Sequence, residues 1–197
     1  MHRDDLPADS AVIRAKLRRE KIAARQAMPA EQRHNAETRI HRRILDLLHD
    51  HPAGVIAYCW PIRAEVDCRP VIDTLLAAGW QAAMPVVAQT DAPMNFRAWA
   101  PQTPMVADPY GIPIPQPEVC LRPDVVLVPL VAFDADRFRL GYGGGYFDRT
   151  LANLQHRPLT IGVGFALAEA PSIRPESHDL PMDIIVTETT TLFGKMP

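Results

Sequence analysis

Glycine is scarce in this chain. Only ten of 197 residues are glycine, and four of the ten fall between Gly141 and Gly145. Cysteine is scarcer still. Cys59, Cys68 and Cys120 are an odd number without metal-ligand spacing, which argues against a disulfide framework or a structural zinc site and for a reducing cytoplasm. They are expected to be small buried apolar residues. No apolar run approaches the roughly 18 residues of a membrane span. The segment Met1–Ser10 is polar and acidic and lacks the apolar centre of a signal peptide. Charge of one sign is also lacking. Twenty-one Lys and Arg face 23 Asp and Glu, so there is no overall basic footprint for nucleic acid.

What is present is an ordinary globular composition, 47% hydrophobic and 22% charged, which excludes disorder as the main state. The length suits a single domain over residues 1–197, with 1–9 a flexible leader. Ser10 can cap a helix to about Met28, stopped by Pro29. A second helix should run from Pro29 to about His49. Val55–Trp60 reads as a buried strand, Arg69–Ala78 as a helix ended by Gly79, and Gln81–Val87 and Asn95–Trp99 as strands. Seven prolines between Pro101 and Pro123 call for a long extended connection. Asp124–Val131 is nearly all apolar and should be the central strand. A helix over Tyr146–Gln155 and strands at Leu159–Gly164 and Asp183–Thr187 complete the series. Alternating strands and helices predict a mostly parallel sheet covered on both faces.

The segment from Arg139 to Arg149, RLGYGGGYFDR, lies between the apolar strand and a helix. Glycines there let backbone N–H groups converge on an anion, and the helix N-terminus adds a favourable dipole. A tight turn alone needs one or two glycines, not four in five residues. The Walker ending is missing, and Tyr146 stands where the dinucleotide fingerprint requires glycine. Arg139 and Arg149 can neutralise phosphate charge. Asp148 is either a charge that favours the helix start or a magnesium ligand. On the first helix, Arg14 and Arg18 share a face and Arg25 follows one heptad later. Spacing alone favours a solvated basic face. Clustered arginines also suit polyphosphate.

Together, RLGYGGGYFDR after VPLVAFD, the upstream YCWPIRAEVD, the arginine-bearing first helix and HDLPMD resemble the 5-formyltetrahydrofolate cyclo-ligase family, also called 5,10-methenyltetrahydrofolate synthetases. The resemblance spans about Ile13 to Thr187. It implies a three-layer α/β/α fold, Rossmann-like and of the CoA-transferase type, with a mostly parallel central sheet. It implies ATP as cosubstrate, Mg2+, and conversion of 5-formyltetrahydrofolate to 5,10-methenyltetrahydrofolate in a cytoplasmic monomer with no nucleic-acid or membrane partner.

Position by position, the resemblance puts Arg14 and Arg18 on the ATP phosphates. Arg139, Leu140, Gly141, Tyr142, Gly143, Gly144, Gly145, Tyr146 and Phe147 become the ATP loop. Arg14, Arg18, Arg139 and Tyr146 are the expected catalytic residues. Trp60 and Glu65 would bind the pterin, together with Tyr142 to Tyr146 of the loop. Asp148 and Asp179 would hold the metal. The sequence departs from the family pattern at Phe147 (usually Tyr), Arg137 (usually Gly), Ala64 (commonly Gly) and Ile114 (frequently acidic). Phe96 is a further candidate for stacking on the pterin, and His178 for orienting Asp179. Two other readings compete: a different ATP-dependent enzyme on the same fold, and a non-catalytic relative. Keeping both Trp60 and Glu65 favours the folate enzyme.

Overall fold

The computed structural model describes residues 7–194, and side chains from residue 10 onward. Most of the expected leader, residues 1–6, lies outside the described residues.

The elements follow the apolar pattern closely. Helix α1 is Pro7–Gln26, α2 Ala30–Leu48, β1 Val55–Ala57, α3 Arg69–Ala77, β2 Gln81–Val86 and β3 Asn95–Trp99. The proline-rich connection is not wholly irregular. Its middle folds into an antiparallel hairpin of β4 (Met105–Ala107) and β5 (Pro113–Pro115). Then come β6 (Val125–Pro129), a second small hairpin of β7 (Ala132–Phe133) and β8 (Arg139–Leu140), helix α4 (Tyr146–Asn153), β9 (Leu159–Val163), β10 (Ile184–Val186) and β11 (Thr191–Phe193).

The central sheet has seven strands in the order β11-β10-β9-β6-β1-β2-β3. Its five inner strands are parallel, and the edges β3 and β11 are antiparallel to their neighbours. Strand β6 is central, as its unbroken apolar run requires. Side chains alternate across the sheet. Val125 and Leu127 pack with Ile40 and Ile44 of α2 and Val71, Ile72 and Leu75 of α3. Val126 and Val128 turn the other way, onto Phe133 of β7 and Leu151 of α4. This is the expected three-layer α/β/α arrangement.

Several expectations are corrected. Helix α1 starts at Pro7, so Ser10 lies within it, and its hydroxyl donates to the Arg174 carbonyl instead of capping. The glycine segment does not follow the central strand directly, because the β7–β8 hairpin intervenes. Cys120 is exposed, unlike the buried Cys68. Phe96 is core. Arg137 adopts φ +67 in the turn between β7 and β8, a conformation glycine takes more readily, and its side chain donates to the Met182 and Phe193 carbonyls.

One feature of the topology places the site. From β1 the chain moves to β2 on one side, and later returns to β6 on the other. Loops leaving the carboxyl ends of β1 and β6 therefore diverge, and this opens the crevice where α/β sheets bind ligands.

Candidate active site

The loop after β1 carries Glu65, and the chain after β6 leads to the glycine segment. Helix α1 lies across both. Arg14, Arg18 and Arg25 are not a solvated face, which corrects the reading from spacing. Arg14 and Arg25 are buried, at 8% and 5% exposure. Arg18 Nε donates to the Gly141 carbonyl at 2.8 Å. Lys21 donates to the carbonyls of Leu167 and Glu169, just beyond β9. Arg25 donates to the carbonyls of Arg63 and Leu130 and to the Tyr142 hydroxyl. Helix α1 thus ties together the loops that leave β1, β6 and β9.

Within the glycine segment, Gly143 has φ +102 and Gly145 has φ +63. These left-handed positions account for two of the glycines. At Gly144 a Cβ would come within 2.8 Å of the Tyr146 ring. At Gly141 a Cβ would meet nothing within 4 Å, so packing does not explain that glycine. The Arg18 guanidinium lies against Gly143. Gly145 is the N-cap of α4, so the segment delivers its backbone to a helix N-terminus beside an arginine. Burial, then the neighbouring Arg14, lowers the Arg18 pKa.

Asp148 and Asp179 are each held by an arginine. Arg139 meets Asp148 through two parallel hydrogen bonds of 3.0 Å, and the Leu180 N–H adds a third at 3.1 Å. Arg14 grips both oxygens of Asp179, and the Glu176 N–H donates to it at 2.7 Å. Burial opposes ionisation of Asp179, but the hydrogen bonds from Arg14 and the Glu176 N–H, together with the charge of Arg14, outweigh it and hold the carboxyl below the usual range. Among the described residues, no group of three or more His, Cys, Asp or Glu side chains converges as a metal cluster. With both oxygens of each carboxylate bonded to a cation, Asp148 and Asp179 do not fit a preformed resident metal site. His178 is exposed and lies 3.6 Å from Glu176.

Glu65 is buried at 7% exposure. Its Oε2 accepts the Ile62 N–H at 3.0 Å and its Oε1 accepts the Tyr142 hydroxyl at 2.7 Å. Burial raises its pKa, against these two hydrogen bonds and the charges of Arg25 and Arg63. The turn before it is unusual. Arg63 has φ +46 and Ala64, which stands where the family favours glycine, has φ +62. Trp60 is half-buried and packs on the core, with Arg69 over one face of its ring at 4.6 Å. Asp67 bonds the first N–H of α3 and the Arg69 side chain, and Asp183 bonds Thr160, so both are structural.

The family model for 5-formyltetrahydrofolate cyclo-ligase matches residues 10–188. The chain belongs to the 5-formyltetrahydrofolate cyclo-ligase family. It is 30% identical to the Haemophilus influenzae cyclo-ligase over 181 residues, 88% of this chain and 97% of that one. It is 31% identical to the Escherichia coli K12 cyclo-ligase, over 83% and 93% of the two chains. The solved structure of Aquifex aeolicus 5,10-methenyltetrahydrofolate synthetase superposes with a TM-score of 0.75 at 26% identity, covering 94% of each chain. The Mycoplasma pneumoniae synthetase, at 22% identity and TM-score 0.70, shares the fold over 89% of this chain and 98% of that one.

For a cyclo-ligase the arrangement is economical, since one glycine segment touches both the basic helix and the buried glutamate. The role of Arg25 escaped the sequence, where it reads as one more charge on a basic helix; no local signal marks its bond to the Tyr142 hydroxyl.

Proposed function

We propose that this chain is an ATP-dependent ligase that converts 5-formyltetrahydrofolate to 5,10-methenyltetrahydrofolate and releases ADP and phosphate. The observation that carries this reading is the glycine segment itself, where neighbouring residues reach both ways: Arg18 is bonded to the Gly141 carbonyl and the Tyr142 hydroxyl to Glu65. A loop built this way can hold a phosphate donor and a folate acceptor side by side.

The formyl group on N5 is an amide, and its oxygen is a poor leaving group. Its oxygen attacks the γ-phosphorus of ATP, the bond from phosphorus to the bridging oxygen breaks, and ADP departs. N10 then attacks the formyl carbon and loses its proton, and the carbon–oxygen bond breaks to release phosphate. Such a transfer needs positioning and charge neutralisation more than covalent help. Arg14, Arg18, Arg139 and the N–H groups of Gly143, Gly144 and Gly145 supply both. Glu65 accepts hydrogen bonds from the pterin N–H groups and so fixes N5 and N10, with Trp60 beside it. Tyr146 and Phe147 close the loop at the start of α4. Magnesium belongs to this reading as the companion of the ATP phosphates and not as a resident ion. Asp148 and Asp179 act first by holding Arg139 and Arg14 in place.

The test is direct. Protein mixed with 5-formyltetrahydrofolate and Mg-ATP is expected to develop the absorbance of the methenyl product. Folded protein that yields no ATP-dependent absorbance rules the reading out.

A further inference from the structure

Arg25 is buried and each of its three guanidinium nitrogens makes a hydrogen bond. Nε donates to the Arg63 carbonyl at 3.1 Å, Nη1 to the Leu130 carbonyl at 3.1 Å and Nη2 to the Tyr142 hydroxyl at 2.8 Å. A guanidinium can only donate. The Tyr142 oxygen therefore accepts from Arg25, and its single proton is directed onto Glu65 Oε1 at 2.7 Å. The same arginine bonds the strained pair Arg63–Ala64, and Arg33 adds a bond to the Ala64 carbonyl at 3.3 Å. Backbone in this conformation persists only where its surroundings fix it.

We propose that Arg25 is a positioning residue for Glu65, acting through the Tyr142 hydroxyl and through the Arg63–Ala64 turn. The arginine sets both the backbone that carries the carboxylate and the hydrogen bond that orients it. The inference rests on the reading of Glu65 as the pterin carboxylate. It adds that pterin binding is governed from helix α1, the helix whose other arginines serve the phosphates.

Steady-state kinetics of Tyr142→Phe, Arg25→Lys and the double variant test it. Lysine cannot span three acceptors in a fixed fork. Each single variant is expected to raise KM for 5-formyltetrahydrofolate about tenfold, a larger change than in kcat or in KM for ATP. The double variant is expected to fall well short of the roughly hundredfold product of independent effects. The groups facing Glu65 are Arg25, Arg63, Tyr142 and the thiols of Cys59 and Cys68. Of these, Tyr142 donates a hydrogen bond to the ionised carboxylate, so Tyr142→Phe is expected to move the acid limb of kcat/KM to higher pH.

An unchanged folate KM and an unmoved acid limb in Tyr142→Phe overturn the proposal, as do two effects that multiply. If Arg25→Lys does not fold, Tyr142→Phe decides alone, because it removes one oxygen from a half-exposed ring. Glu65→Gln separates the two levels. A normal folate KM there defeats the pterin reading and this inference with it. A raised folate KM there, with a normal one in Tyr142→Phe, defeats this inference alone.

Discussion

The two ends of the site hold buried carboxylates in opposite ways. At the end proposed for phosphate, Asp148 and Asp179 each sit in the fork of an arginine. At the end proposed for the pterin, no arginine among the described residues hydrogen-bonds to Glu65. A backbone N–H and a tyrosine hydroxyl do, while Arg25 stands one hydrogen bond behind. The consequence shows in their protonation. Asp179 is held below the usual carboxylate range, whereas burial raises Glu65. Direct pairing locks charge in place and fixes the arginines proposed to meet phosphate. Indirect pairing leaves a carboxylate with lone pairs not taken up by a guanidinium, as the proposed pterin contact requires.

The largest effects should come from breaking the locked pairs. In the Arg14–Asp179 pair the side chains are 10% and 4% exposed, and in Arg139–Asp148 they are 5% and 14% exposed. Removing one partner strands a buried charge. Asp148→Asn and Asp179→Asn are each expected to cost about 3 kcal/mol in urea denaturation. That corresponds to a fall in Tm on the order of 10 °C for a chain of this size. Loss of arginine positioning should also cut turnover about a hundredfold. Stability and turnover both near wild type would show that these pairs are not what fixes the arginines.

Replacing a whole pair sharpens the point. Arg14→Met with Asp179→Leu removes both charges, and its stability is expected to return to within about 1 kcal/mol of wild type, since a buried pair contributes little against apolar packing. Turnover should stay low. A double variant as unstable as Asp179→Asn would mean that the pair itself, and not the stranded charge, carries the energy.

The pH dependence separates the ends next. Asp179 has a lowered pKa when folded, so its contribution is present above the ordinary carboxylate value and is lost as pH falls through the folded one. Glu65 has a raised pKa when folded, so its contribution is full below the ordinary value and is lost as pH rises through the folded one. The stability of Glu65→Gln relative to wild type is therefore expected to improve as pH rises from about 4 to about 7. A gap that moves the other way would place Glu65 with the locked carboxylates.

The smallest effect calibrates the rest. Lys16 and Glu20 on α1 form an exposed pair at 3.8 Å, with side chains 66% and 53% exposed. Lys16→Ala is expected to change stability by less than about 0.5 kcal/mol. A larger loss would mean that exposure is a poor guide to what this helix contributes.

Much of this was legible from residue order. The 3.6-residue spacing of Ile40, Ile44 and Leu48 gave α2, and the apolar run at Val125–Pro129 gave the central strand. The crowding of four glycines marked the loop before α4, because left-handed backbone at Gly143 and Gly145 leaves a compositional trace. The strained Arg63–Ala64 turn left no trace in its own residues, only in the family's preference for glycine at Ala64, and Arg25 and Arg33 bond its carbonyls. The hairpin inside the proline-rich connection was equally hidden, because proline density predicts extension but not pairing.

By itself the sequence determined the helices and the inner strands of the sheet, the crowding of glycines after the central strand, and the family. Only the tertiary structure decided which charge meets which. Arg14 and Asp179 are 165 positions apart and Tyr142 and Glu65 are 77 apart, so no local pattern couples them. The divergence of the chain after β1 and β6 brings them to one crevice. Burial there makes each pairing consequential, because a carboxylate removed from water must find its donors within the fold.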